Sequence, residues 1–152
     1  MSIRRLMGED LPALCADLAR LPLLKRYRRD AARLRSDLAA ALSRGDGLLV
    51  EEQGGRARGL AWFLAGGTLG MGGYLRLMAV VPDATGGGVG ARLLEAFEAE
   101  VAQESRHAFL LVSDFNLAAQ RFYERHGYAR AGALPGLVLP DVAEILYWKR
   151  LR

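Results

Sequence analysis

Residues 80–94, VVPDATGGGVGARLL, contain four glycines between a β-branched apolar run and a helix-like pattern. These glycines are Gly86, Gly87, Gly88 and Gly90. The N-terminus of a helix carries unpaired backbone N–H groups and a partial positive charge, and glycines allow an anion to approach that backbone closely. The spacing therefore predicts a loop that binds a phosphate-type anion, with a flexible connection as the structural alternative.

Two better-known phosphate loops do not match this segment. A nucleoside-triphosphatase loop needs Gly-Lys-Ser/Thr after its glycines, and that tripeptide is absent. The dinucleotide-binding fingerprint needs a third glycine where Leu93 stands.

A second group of reactive side chains lies in residues 112–132, VSDFNLAAQRFYERHGYARAG. Asn116 is suited to cap a helix that starts at residue 117. Tyr123 shares helical spacing with Phe122 and Ala119, which is also typical of a core aromatic. His126 comes just before Gly127, where a cation suits the C-terminal dipole of the helix, so we assign it a structural role.

The elements that position these residues follow from the apolar pattern. SIRRLM predicts a first strand, and residues 10–44 predict two helices, with breaks near Pro22 and around residues 28–30. GDGLLVEEQGGRARGLAWFLAGG predicts two antiparallel strands joined by a tight turn, and GYLRLMAVV a third strand of this meander.

From the glycine loop onward the pattern changes to strand, helix and parallel strand. The predicted helix has an apolar face, and the run HAFLLVS follows it as the parallel strand. A helix over residues 117–126, an irregular stretch with Pro135 and Pro140, and a last strand AEILYWKR complete the order. The apolar face of the helix that follows the glycine loop consists of Val89, Leu93, Leu94, Phe97 and Val101.

Length and composition favour one globular domain over residues 1–152. The apolar runs are too short to cross a bilayer, and MSIRRLMGED lacks the apolar stretch of a secretion signal, so we expect a cytoplasmic protein. Cys15 lies in an apolar helical stripe and is predicted to be a core residue. The net charge is +4, and KRYRRDAARLR (residues 25–35) concentrates basic residues. Because aromatic interleaving is absent there, a solvated helix face is favoured over a nucleic-acid patch.

Together, the two segments resemble the signatures of the GCN5-related N-acetyltransferases, the GNAT superfamily. The first signature, V-x-P-x-x-R/Q-x-x-G-x-G/A, is matched by Val80, Pro82, Gly88 and Gly90, with Thr85 in place of the usual arginine or glutamine. The second is an asparagine followed by A-x-x-x-Y-x-x-x-G-F/Y. It is matched by Asn116, Ala119, Tyr123, Gly127 and Tyr128.

The resemblance implies a mixed α/β fold with a central sheet of about six or seven strands, an antiparallel N-terminal meander, a βαβ unit and about four helices. It also implies an N-acetyltransferase in which a primary amine attacks acetyl-CoA directly, with no metal. Tyr123 would be the general acid, and a backbone N–H near Val80 would polarise the thioester carbonyl. The implied coenzyme contacts are Met78, Ala79, Val80, Thr85, Gly86, Gly87, Gly88, Val89, Gly90, Asn116 and Tyr123.

The general base is not indicated by a motif. Many relatives place a glutamate on the fourth strand, and GYLRLMAVV has none. Glu144 is the best acidic candidate, with Tyr74 and a water chain as the alternative. A silent acyl-CoA-binding regulator and a basic nucleic-acid-binding module remain as other classes of function, the acceptor amine is not assigned, and a homodimer is left open.

Overall fold

The computed structural model describes residues 2–152. Within this range the chain forms seven strands and five α-helices. The strands are β1 (Ser2–Arg5), β2 (Gly47–Gln53), β3 (Arg56–Thr68), β4 (Gly72–Val80), β5 (His107–Ser113), β6 (Ala129–Pro135) and β7 (Ala143–Arg150). The helices are α1 (Leu11–Leu18), α2 (Pro22–Arg26), α3 (Ala31–Arg44), α4 (Val89–Val101) and α5 (Leu117–Arg125), with short 3-10 turns at Gly8–Asp10 and Pro82–Ala84.

The strands form one sheet in the order β1-β2-β3-β4-β5-β7-β6. The pairs β1/β2, β2/β3, β5/β7 and β6/β7 are antiparallel, whereas β4 and β5 are parallel and are connected through α4. A parallel pair requires such a long crossover, which the apolar stripe of α4 predicts. The mixed α/β fold class expected from the sequence is confirmed.

One of two compact units contains residues 2–63 and Leu77–Ala99. Its core is formed by leucines of α1 and α3 packed with β-strand residues such as Leu60 and Trp62. Cys15 is buried in this core, as predicted. Helix α3 begins at Asp30, whose side chain accepts a hydrogen bond from the Arg33 amide at 2.8 Å, and it ends at Gly45.

The other unit contains Leu64–Arg76 and Glu100–Arg152. Strand β5 is paired along its full length with β7, from His107 opposite Arg150 to Ser113 opposite Glu144. The amide of Ala143 donates to the Asp114 carboxylate at 2.9 Å, and the Asp114 amide donates back to the Ala143 carbonyl at 2.9 Å. These bonds fix the end of β5 against the start of β7.

Two predictions about elements are wrong. Residues 10–44 contain three α-helices instead of two, because Pro22 starts the five-residue helix α2, where its fixed φ suits the first helical turn. The stretch predicted as irregular begins with a strand, β6, which pairs with β7. All seven β6 residues are exposed, so no apolar alternation marks this strand in the sequence.

Candidate active site

The glycine loop connects a 3-10 turn to the N-terminus of α4. Gly86 and Gly88 have φ angles of 84° and 81°, in the left-handed region that favours glycine. The first backbone bond of the helix runs from the Arg92 amide to the Gly88 carbonyl at 3.1 Å. The amides of Val89, Gly90 and Ala91 therefore precede that bond and belong to the first helical turn, where backbone donors have no intrahelical acceptor.

The loop surface has room for a ligand to approach its backbone. A Cβ placed on Gly86 would meet no atom within 4 Å, and one placed on Gly87 would meet only the Ala84 carbonyl oxygen, at 3.6 Å. A diphosphate needs several N–H donors and close approach, and the start of α4 offers both. The residues present therefore fit the diphosphate of a nucleotide coenzyme.

Thr85 directs its hydroxyl to a local partner. Its Oγ1 donates to the Pro82 carbonyl oxygen at 3.0 Å and thereby closes the 3-10 turn. The threonine thus shapes the entrance to the loop, whereas the arginine or glutamine usual in this signature has a longer side chain with several donors.

Sequence reasoning missed two charged residues beside the loop, Glu51 on β2 and Arg92 on α4. The guanidinium of Arg92 pairs with the buried Glu51 carboxylate, with Nη2 at 3.0 Å from Oε2. The same Nη2 donates to the Gly87 carbonyl oxygen at 3.0 Å. The hydrogen bond from the Arg92 guanidinium is also the largest contribution that lowers the pKa of Glu51 below its usual value. The only signal in the sequence is an acidic residue that directly follows the apolar run LLV.

Strand β4 ends in three of the predicted coenzyme contacts, Met78, Ala79 and Val80. Its parallel pairing with β5 runs from Gly72 opposite His107 to Leu75 opposite Leu110. The three residues lie beyond this paired part of β4. A strand end of this kind can accept an extended ligand by backbone pairing.

Helix α5 presents Asn116 and Tyr123. The Asn116 side chain accepts a hydrogen bond from the Ala119 amide at 3.1 Å, so it caps the helix as predicted. At the other end, Nδ1 of His126 lies 2.7 Å from the Phe122 carbonyl oxygen. This contact fits the structural role assigned to the histidine.

The Tyr123 side chain is 8% exposed. Its ring makes edge contacts with the rings of Phe122 and Tyr128, at centroid distances of 5.2 and 5.7 Å. Burial raises the pKa of the Tyr123 phenol above its ordinary value, because the charged phenolate is poorly solvated there. The phenol therefore holds its proton at neutral pH, which is the state required of a proton donor.

Glu144 lies buried near the start of β7, opposite Ser113 on β5. The Ser113 hydroxyl donates to its carboxylate, at 3.2 Å to Oε2. Burial raises the pKa of the nearby Tyr74, and the negative charge of Glu144 raises it further, whereas the positive charge of Arg76 lowers it. The structure thus brings together both sequence candidates for the base, Glu144 and Tyr74.

A model of the GNAT acetyltransferase domain matches residues 44–130. The chain belongs to this family. No curated protein sequence matches it. The matched part of the chain includes the glycine loop, Asn116 and Tyr123, so both signatures recognised in the sequence fall within the GNAT domain.

Solved structures show the same fold over the whole chain. An aminoglycoside 6′-N-acetyltransferase complexed with coenzyme A is 18% identical, with a TM-score of 0.80 and coverage of 100% of this chain and 98% of the other. YncA from Salmonella typhimurium with its cofactor acetyl-CoA is 18% identical, with a TM-score of 0.78 and coverage of 100% and 94%. A ribosomal-protein-alanine N-acetyltransferase from Brucella melitensis is 19% identical, with a TM-score of 0.75 and coverage of 99% of both chains. At these identities the likeness establishes the GNAT fold alone.

Residues 2–152 also contain neither a cluster of potential metal ligands nor a helix suited to cross a membrane. No group of three or more His, Cys, Asp or Glu side chains in this part of the chain could hold a metal ion. None of its helices is both long and apolar enough to cross a membrane.

Proposed function

We propose that this GNAT chain transfers the acetyl group of acetyl-CoA to a primary amine of a small molecule, protein or peptide. The observation that carries the proposal is the open glycine loop at the start of α4, with two glycines at positive φ and the backbone donors of the first helical turn. Acetyl-CoA supplies the acetyl group as a thioester, and its diphosphate matches the chemistry of this loop.

Backbone groups of β4 and α4 bind the coenzyme in this proposal. The amides of residues 85–90 hold the diphosphate, and Met78–Val80 pair with the pantetheine arm as an added strand would. The N–H near Val80 polarises the thioester carbonyl, and Asn116 adds a contact beyond its role as helix cap. The aminoglycoside enzyme and YncA were solved with coenzyme A and acetyl-CoA, respectively, which supports this choice of coenzyme.

Tyr123 is the proposed general acid. When the amine nitrogen bonds to the carbonyl carbon and the C–S bond breaks, Tyr123 gives its proton to the departing sulfur. The buried, protonated phenol supports this role because a donor must carry its proton at the working pH. The Tyr123 phenolate then regains a proton from solvent.

Glu144 is the proposed general base, with Tyr74 beside it. A primary amine is mostly protonated at neutral pH, and it must lose protons before and after its attack. The Glu144 carboxylate accepts such a proton directly or through water, and the Ser113 hydroxyl fixes the orientation of the carboxylate. The neighbours that act on aminoglycosides and on a ribosomal protein's alanine belong to both acceptor classes, so the proposal keeps both.

The experiment is a screen of primary amines and peptides with acetyl-CoA, in which free thiol release is followed and calorimetry measures coenzyme binding. We expect thiol release with at least one amine, and no release when the same amine is already N-acetylated. Coenzyme binding without transfer across the panel would favour a silent acyl-CoA-binding regulator. A protein that does not bind the coenzyme would overturn the proposal.

A further inference from the structure

Gly59 determines how closely α4 approaches the sheet. A Cβ on Gly59 would lie 2.7 Å from a methyl group of Val89 and 2.9 Å from one of Leu93, so these two side chains of α4 occupy the space above the glycine. Glu51 is the β2 residue opposite Gly59 in the strand register. Arg92, which precedes Leu93, can therefore reach the Glu51 carboxylate across this close contact.

Glu51 is held in place from two sides. Its side chain is 1% exposed, and Oε2 accepts one bond from Gln53 Nε2 at 2.6 Å and one from Arg92 Nη2 at 3.0 Å. A buried carboxylate with this set of partners has little freedom to move. The guanidinium bound to it is fixed as well, because the fork of Arg matches the two carboxylate oxygens.

The fixed guanidinium also determines the direction of one loop peptide. Arg92 Nη2 donates to the Gly87 carbonyl oxygen at 3.0 Å, so this C=O points toward Arg92. The described chain contains no cis peptide bond, and in a planar trans peptide the N–H is directed opposite to the C=O. The N–H of Gly88 is therefore turned away from Arg92.

Three consecutive glycines, Gly86 to Gly88, need such a constraint. Glycine loses more conformational freedom on ordering than any other residue, so a free triglycine loop would have a large entropic cost when it binds a ligand. A loop that is already held in its binding conformation avoids part of that cost.

We infer that Arg92, oriented by Glu51, is a positioning residue that sets the glycine loop for the diphosphate of the coenzyme. The inference rests on the proposed function, which assigns the diphosphate to this loop. Arg92 acts through the Gly87–Gly88 peptide and makes no contact with the reacting atoms. In this chain, with Thr85 at the signature position, an arginine behind the loop holds the loop peptide in place.

The test is the paired variant Glu51→Gln with Arg92→Gln, which removes the ion pair and leaves the net charge unchanged. Calorimetry with CoA should show a dissociation constant about tenfold higher, because the loop must then be ordered on binding. Dephospho-CoA lacks the 3′-phosphate but keeps the diphosphate, and its affinity should fall by the same factor. With acetyl-CoA and a working amine, KM for acetyl-CoA should rise by more than kcat falls.

A second paired variant, Glu51→Leu with Arg92→Met, replaces the charged groups by apolar ones. It is used for the same measurements if the Glu51→Gln, Arg92→Gln variant does not fold. Wild-type affinity in a folded paired variant would overturn the inference. A loss seen with CoA but not with dephospho-CoA would also overturn it, since Arg92 would then serve the 3′-phosphate. If the wild-type protein binds neither compound, the proposed function itself fails.

Discussion

The Tyr123 phenol is the residue on which the proposed acid chemistry depends. Tyr123→Phe removes the proton donor and keeps the ring and its edge contacts with Phe122 and Tyr128. We expect turnover to fall by roughly 100-fold to 10,000-fold, the usual worth of general acid catalysis, with coenzyme affinity nearly unchanged. Steady-state kinetics and calorimetry on the same preparation measure both quantities. Unchanged turnover, with chemistry shown to be rate-limiting, would make Tyr123 a core residue only.

Glu144→Gln tests whether Glu144 is the general base that accepts a proton from the amine. The amide oxygen of Gln can still accept the Ser113 hydrogen bond, so the local structure is kept while the proton acceptor is lost. We expect kcat to fall by about 100-fold or more. Ser113→Ala is the matched control, which removes the orienting bond and should cause a smaller loss. Equal turnover in Glu144→Gln and the wild type would assign the base to Tyr74 or to water.

Gly88→Ala tests the loop with a single methyl group. The new Cβ would lie 2.9 Å from Arg92 Nη1, and alanine is strained at a φ of 81°. Gly45→Ala is the control, because its φ of 80° gives the same strain while its Cβ would meet no atom within 4 Å. Both variants should lose about 1 to 2 kcal/mol of stability in urea unfolding from the left-handed backbone, and Gly88→Ala should lose more because of its contact with Arg92. Only Gly88→Ala should weaken coenzyme binding, as measured by calorimetry. A similar loss of coenzyme affinity in both variants, or unchanged affinity in Gly88→Ala, would contradict the loop assignment.

Asn116 caps helix α5 and is also a proposed coenzyme contact. Asn116→Ala removes the bond to the Ala119 amide and should cost about 1 kcal/mol of stability, whereas Asn116→Asp keeps an acceptor and should cost little. If the side-chain amide also donates to the coenzyme, both variants should bind it more weakly. Urea unfolding and calorimetry separate the two effects. Normal coenzyme affinity in the aspartate variant would leave Asn116 as a cap alone.

Elements with a clear apolar pattern could be predicted from the sequence. Strands β2, β3 and β5 and helix α4 alternate or repeat their apolar residues, and they form where that pattern places them. Strand β6 lacks such a pattern because all its residues are exposed, and its backbone bonds to β7 define it instead. The five-residue helix α2 is too short for a periodic signal, so Pro22 was interpreted only as a break.

The same limit applies to the candidate site. The glycine loop, Asn116 and Tyr123 belong to local signatures, and sequence reasoning found them. The Glu51–Arg92 pair spans 41 positions and depends on the register of β2 with β3, so no local spacing reveals it. Ser113 is likewise opposite Glu144 only because β5 pairs with β7 in one register.

At the scale of the whole molecule, tyrosines should determine the response to alkaline pH together with Cys15, because burial raises the pKa of its thiol to about 11. The pKa values of Tyr74 and Tyr123 are raised mainly by burial, and that of Tyr147 is raised to about 12 by burial and by its bond to Glu124. Only two lysines are present, and the arginines stay charged across this range.

The sign of the effect follows from proton binding. Above pH of about 10 the unfolded tyrosines lose their protons while the folded ones keep them, so the free energy of unfolding falls as pH rises. We expect a lower urea midpoint at pH of about 11 than at pH of about 8, and a smaller difference in Tyr147→Phe. A midpoint that stays constant between these two pH values would contradict the raised pKa values.

The two tryptophans give the chain two different fluorophores. Trp62, in the unit with the glycine loop, is 1% exposed, and its indole N–H donates to Asp46 Oδ2 at 3.0 Å. Trp148, in the unit with Tyr123, is 37% exposed, and its N–H donates to His107 Nδ1 at 3.0 Å. A shielded indole emits at shorter wavelength than a solvated one. The emission spectrum therefore reports each unit at its own wavelength, and it can show without an added label whether both units lose their structure together.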